Sequence, residues 1–143
     1  MKNVNEFQQK DDSVSVQDAT GATALHYAVE ENNVEKAKAL VEAGADIDAR
    51  DVHGRTPIMY SYILDMSDAA YYLMEKGADV KALDQSRRSM LYKAVVYGDY
   101  SLAEKLVGLG VNPNTEDVYG YSPLKLASGD IKMTEILEGR QNI

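Results

Sequence analysis

Without a cysteine, this 143-residue chain has few groups that could serve as nucleophile, acid–base catalyst or metal ligand: two imidazoles, His26 and His53, and its carboxylates. His53 stands two residues after Asp51 in "DVHG", so that spacing offers a base–carboxylate pair. No nucleophile or third group is indicated beside it. Two histidines without a recognisable ligand spacing make a poor zinc site. There is no Gly-x-Ser-x-Gly elbow and no phosphate-cradling Gly-Lys-Ser/Thr loop. The acidic pairs Asp11-Asp12, Glu30-Glu31 and Glu116-Asp117 are adjacent residues, which diverge on a helix and belong to solvated faces. The expectation is therefore no catalytic residue, no cofactor, no metal and no enzymatic activity.

The charge balance points the same way. Fifteen basic against 23 acidic residues leave a net charge of -8. The excess is steepest at the front: up to Arg50 there are 5 basic and 10 acidic residues. Such a chain repels nucleic-acid backbones and anionic membranes, so a neutral or basic protein partner is the simpler expectation. No apolar run approaches the roughly 18 residues of a membrane span, and the N-terminus has no signal-peptide core. A cytoplasmic protein is expected. At 45% hydrophobic the chain can build a core.

The elements that would carry any site are set by a repeat. Asp18, Asp51, Asp84 and Asp117 lie 33 residues apart. The same step relates Gly21, Gly54, Arg87 and Gly120; Thr23, Thr56, Ser89 and Ser122; and Leu25, Ile58, Leu91 and Leu124. Gly44, Gly77 and Gly110 recur later in the period. Each column has a physical role. Asp-x-x-Gly is turn chemistry, in which Asp bonds the backbone ahead and Gly accepts positive φ. The Thr/Ser column caps a helix, and Pro57 and Pro123 follow it at the first helical position. A first helix of about ten residues should stop near Asn32, Asp65, Gly98 and Gly129, residue types that tolerate a left-handed turn. A second helix, as in "VEKAKALVEA" with Leu40 and Val41 facing inward, should end at the later glycines. One such unit cannot bury its own apolar face, and stacking neighbours supplies the core.

"GATALHYA" and "GRTPIMYS", followed by "EAGADIDA" and "EKGADVKA", resemble the ankyrin repeat. The resemblance runs from residue 18 to about 138. It implies an all-α solenoid of stacked antiparallel helix pairs, with β-hairpin or turn fingers projecting from one edge. Residues 1-143 then form one domain: a tail or partial capping helix (1-17), repeats at 18-50, 51-83 and 84-116, and a shortened C-terminal capping repeat (117-143). "SGDIKMTEILEGRQNI" fits the pattern of "YGDYSLAEKLVGLG" only after deletion of two residues. Val4 and Phe7 fall 33 residues before Ala37 and Leu40, so residues 2–10 suit a leftover capping helix. Two departures stand out. Only the first repeat keeps the family's histidine, His26, whose implied role is a structural hydrogen bond to backbone; Met59, Tyr92 and Lys125 replace it. Arg87 replaces the turn glycine, at about 1 kcal/mol if φ is positive there; it is either a strained residue held for function or the sign of a reshaped turn, and structural drift is the favoured reading.

Ankyrin-like stacks typically bind proteins through finger tips and the exposed side of the first helix. Those columns are bland in the first repeat and change afterwards: Val52, His53 and Arg55; Gln85, Ser86 and Arg88; Val118, Tyr119 and Tyr121. At the end of the first helix, Glu30 and Glu31 give way to Ile63 and Leu64, then to Val96 and Tyr97. Aromatic and Arg side chains are enriched in binding hot spots, and exposed apolar patches mark interaction sites. The expected partner surface is Val52, His53, Arg55, Ile63, Leu64, Gln85, Arg88, Tyr97, Val118, Tyr119 and Tyr121. Burial of Ile63 and Leu64 by a neighbouring repeat is the competing reading. Tyr71 aligns with Lys38 and should be exposed on the outer helix. The function expected is a protein-binding module, monomeric when unbound. By analogy with small free-standing acidic members of the family it would be an inhibitor or immunity protein. The alternatives are an adaptor or accessory protein supporting its partner, or a self-associating structural protein.

Overall fold

The computed structural model describes residues 12–61 and 68–139. These form two compact units, one of 12–61 with 68–78 and one of 79–139. Each holds two of the 33-residue periods. Among the described residues there is no strand: the fold is all-helical, and the expected fingers are turns rather than hairpins. Val4, Phe7, Ile63, Leu64 and Asp65 lie outside the described residues.

In the first unit a 3-10 turn (Asp12–Ser15) precedes helices α1 (Ala24–Glu30) and α2 (Val34–Glu42). A second 3-10 turn (Pro57–Tyr60) and α3 (Asp68–Glu75) follow. Helix α1 packs on α2, on the Pro57–Tyr60 turn and on α3. The second unit holds α4 (Met90–Val96), α5 (Tyr100–Gly108), α6 (Pro123–Leu126) and α7 (Ile131–Leu137). Helix α4 packs on α5 and α6, and α5 packs on α7. Leu25, Leu73, Leu91, Leu106 and Met133 are fully buried at the centres of these contacts.

The helices begin where capping chemistry starts them. Ser89 Oγ accepts from the N–H of Leu91 and Ser122 Oγ from that of Lys125, both at 3.1 Å. The second helices start at Asn33, Asp99 and Asp130, whose side chains accept from residues three further on at 3.0, 3.0 and 2.9 Å. Between the helices Asn32 (φ 55°), Gly98 (φ 69°) and Gly129 (φ 94°) take the left-handed turn their positions call for. The first helices are shorter than expected, seven residues in α1 and α4. In α2 only Ala37 is fully buried; Leu40 and Val41, expected inward, are half-buried.

In the second period the described part of the first helix is a four-residue 3-10 turn, with Ser61 already extended (ψ 152°), and in the fourth period α6 is also four residues long. The first and second periods also differ at the histidine column. In the first period the Thr23 N–H donates to His26 Nδ1 at 3.0 Å. That leaves Nε2 to carry the proton and donate to the Arg55 carbonyl at 2.9 Å. Met59 offers a thioether instead, a weak acceptor, 3.5 Å from the Thr56 nitrogen. The buried Thr56 hydroxyl has no hydrogen-bond partner among the described residues. One cap is satisfied on both sides, and the other is half made.

The turns are the most regular part. In all four, one carboxylate oxygen of the aspartate accepts the N–H groups two and four residues ahead. These are Thr20 and Ala22 at 2.8 and 3.1 Å, and His53 and Arg55 at 2.9 Å each. In the second unit they are Ser86 and Arg88 at 2.9 and 3.0 Å, and Tyr119 and Tyr121 at 2.9 Å each. Neighbouring turns are tied by Val52 N–H to Thr20 O at 2.9 Å and by Val118 N–H to Ser86 O at 3.1 Å. At Gly21 the approach is so close that a Cβ would meet the Val52 nitrogen at 2.7 Å. Arg87 occupies the glycine position with φ 65°, so the turn is not reshaped: an arginine simply adopts the glycine's left-handed backbone. Replacing it removes that strain, partly offset by glycine's freedom in the unfolded chain. Arg87→Gly is expected to stabilise the protein by about 0.5–1 kcal/mol, read as a raised urea midpoint with unchanged m value.

Candidate protein-binding faces

On the first unit, Val52 and His53 lie exposed at the tip of the second turn. Arg55, expected beside them as a partner contact, keeps 38% of its side chain exposed but is tied to its own turn. Its Nε bonds Asp51 Oδ2 at 2.9 Å and its guanidinium lies 5.1 Å from the Tyr60 ring centroid. Tyr60 donates its hydroxyl to the same oxygen at 2.6 Å and meets His26 edge-on at 4.7 Å. With both oxygens of Asp51 engaged by these groups and by the turn amides, the base–carboxylate pair offered by Asp51 and His53 is not built. His26 is buried and uses both ring nitrogens.

On the second unit, Val118, Tyr119 and Tyr121 sit on the fourth turn at 55%, 73% and 54% exposure. Gln85 is exposed on the third turn. Val96 and Tyr97, at the C-terminal end of α4, are each 57% exposed. Arg88 again is not a free contact. Its Nε and Nη2 lie 3.0 Å from Asp117 Oδ2, and its guanidinium stands 4.6 and 5.9 Å from the ring centroids of Tyr92 and Tyr119. The arginine thus ties the third turn to the fourth and presents only its edge to solvent. Tyr71, on α3, is exposed as its alignment with Lys38 requires.

Three contributors to these faces escape the hot-spot reading of the sequence: Tyr60, Tyr92 and the buried Asp117. A signal for the first was present. The turn aspartate is followed nine residues later by a tyrosine in two periods, Asp18 with Tyr27 and Asp51 with Tyr60, and both pairs are hydrogen-bonded. In the third period Lys93 takes that position, and the Asp117 carboxylate is instead reached by Arg88 and Tyr92 from the period before.

The electrostatics follow from this wiring. Burial pushes the Asp51 carboxyl up. The Tyr60 hydroxyl, the N–H groups of Arg55 and His53 and the Arg55 guanidinium outweigh it and hold the group at about 2. Asp117 is likewise held at about 2 against its burial by the amides of Tyr121 and Tyr119, with Tyr92 and Arg88 adding to them. Burial and the Asp51 carboxylate push the Tyr60 phenol up. His26 is pushed down by burial and stays neutral. No group of three or more His, Cys, Asp or Glu side chains among the described residues could hold a metal. The shallow depression bounded by Gly129, Ile131, Thr134 and Glu135 brings one carboxylate and no imidazole.

These shifts set the acid response. A histidine depressed in the folded state loses stability as pH falls below its unfolded value of about 6.5, because the unfolded chain takes the proton first. A depressed carboxylate contributes stability above about 4 that is lost as pH falls through the folded value near 2. A two-stage decline in melting temperature is therefore expected, shallow from about pH 6.5 and steep from about pH 4 down to 2. Thermal denaturation by circular dichroism across this range checks it; a flat profile between pH 4 and 2 would contradict the carboxylate assignment.

A family model for ankyrin repeats in three copies matches residues 2–84, more than half of the chain. No curated protein matches it. Beyond the matched stretch, the turn at Asp117 repeats the geometry of those at Asp18, Asp51 and Asp84 bond for bond. With the 33-residue period, the capped helix pairs and this family match in agreement, the chain belongs to the ankyrin repeat family.

Proposed function

We propose that this protein is a non-enzymatic binding module. Its partner, another protein, docks on the second unit where Val118, Tyr119 and Tyr121 stand on the fourth turn and Val96 and Tyr97 close α4. Ankyrin repeats are general protein–protein interaction modules. The observation that carries the proposal is that five of the seven exposed large apolar or aromatic side chains described in this unit stand on the fourth turn and at the end of α4, the other two being Leu109 and Ile131. Tyrosine supplies much apolar area with few rotatable bonds, so ordering it on binding costs little. The surface is preorganised: backbone bonds from Asp117 fix both tyrosine amides, and Arg88 supports the Tyr119 ring from behind.

The action that suits such a surface is to occlude or position the partner, with inhibition as the first form to test. The net charge of -8 favours encounter with a partner that is neutral or basic overall. Arg88 is a poor choice of probe, because its loss would leave Asp117 buried beside one fewer donor. The Tyr119→Ala/Tyr121→Ala double variant keeps both amide bonds to Asp117. It is expected to change stability by under about 0.5 kcal/mol and to weaken partner binding by about tenfold or more. Affinity capture from native extract with both forms, followed by an assay of the captured protein's own activity, checks this. The same protein held equally by both forms would exclude this face.

A further inference from the structure

We propose that the contact on the second unit is made by an acidic segment of the partner, with a carboxylate seated on Arg87. This deepens the binding reading above and rests on it. Three observations support it.

The first is the segregation of charge. On the third and fourth turns and the helices that follow them, residues 84–97 and 116–126, four cations (Arg87, Arg88, Lys93, Lys125) meet three carboxylates (Asp84, Glu116, Asp117). In the rest of the helix pairs, residues 98–110 and 127–139, five carboxylates meet two lysines. The excess negative charge of this unit thus falls on the second helices and their caps rather than on the turns and first helices. Screening over about 8 Å at physiological salt lets the local balance, rather than the chain's total, govern contact.

The second is how the carboxylates on the face are used. Asp117 is buried against Arg88, Glu116 is paired with Lys125 at 2.5 Å, and Asp84 accepts two amides of its own turn. Arg87 is exposed. Its Nε reaches only a backbone oxygen, that of Glu116 at 3.3 Å, and it forms no ion pair among the described residues. Its planar fork can take a carboxylate through two parallel bonds.

The third is strain. Arg87 holds φ 65° where the other three periods place glycine. A cationic side chain therefore stands on the turn at a conformational cost against which the fold sets one long hydrogen bond, from its Nε to the Glu116 carbonyl at 3.3 Å. Strain kept in this way is characteristic of functional positions. Tyr119 and Tyr121 on the adjacent turn provide apolar area for the side chains that flank the carboxylate.

The test uses the full chain, isotope-labelled for amide NMR, and two capped pentapeptides, Glu-Glu-Leu-Glu-Glu and Lys-Lys-Leu-Lys-Lys. The glutamate peptide is expected to shift the amides of Arg87, Arg88, Tyr119 and Tyr121 saturably, and more weakly when salt is raised. Arg87→Gly should weaken that binding by about two- to fivefold while raising the melting temperature; opposite signs separate lost contact from lost fold. Arg87→Lys should retain part of the affinity. A preference of these same amides for the lysine peptide would overturn the acidic segment and leave the protein-binding reading standing. So would undiminished glutamate-peptide binding by Arg87→Gly. If neither peptide shifts them, the proposal also falls, and capture with the double tyrosine variant judges the broader reading independently.

Discussion

One carboxylate oxygen, accepting two backbone N–H groups at once, is the contact on which everything else in this protein depends. It closes the turn at Asp18, Asp51, Asp84 and Asp117 with the same pair of bonds each time. With the turn fixed, the Thr or Ser cap falls at the right place to start a helix, and the amides of neighbouring turns meet their carbonyls. Glutamate would place its oxygens one methylene too far out, and asparagine would lose the charge that strengthens such bonds. The second oxygen then differs from period to period. It takes a tyrosine in the first, a tyrosine and an arginine in the second, and an arginine and a tyrosine from the preceding period in the fourth.

That division between a constant oxygen and a variable one separates what could be read in the chain from what could not. The period, the caps at Thr23, Ser89 and Ser122, and the left-handed positions at Asn32, Gly98 and Gly129 all depend on local backbone chemistry. Such chemistry leaves residue types at fixed steps. The length of the first helix does not. The described first helices have seven residues in the first and third periods and four in the second and fourth, and a single substituted residue in an apolar run gives no periodic signal. The proposed face was half legible. Val118, Tyr119 and Tyr121 stand where the turn geometry sends them, in solvent. Arg55 and Arg88 were indistinguishable from contact residues by type and column, because side-chain direction depends on which carboxylate lies in reach. Arg87 was legible as an anomaly, but its significance lies in a φ angle and an absent ion pair, neither of which a sequence displays.

Residue type therefore means different things on the two sides of these turns. On the inner side an arginine neutralises a buried aspartate and stacks on a tyrosine, and its charge is internal to the fold. On the outer side of the third turn the preceding residue, Arg87, faces water. Two consecutive residues with the same side chain thus differ in setting, Arg88 tied to Asp117 and Arg87 exposed on a left-handed backbone (φ 65°).

Arg55 and Arg88 occupy the same column yet satisfy different carboxylates, and this bears on how the molecule assembles. Arg55 bonds the aspartate of its own turn, four residues back, so the second turn can complete its polar wiring from within. Arg88 reaches 29 residues ahead to Asp117, so the third turn's arginine and the fourth turn's aspartate are each left incomplete until the other arrives. In a linear array whose cooperativity is set by nearest-neighbour coupling, that bond is a coupling term. It couples the third period to the fourth through a buried carboxylate.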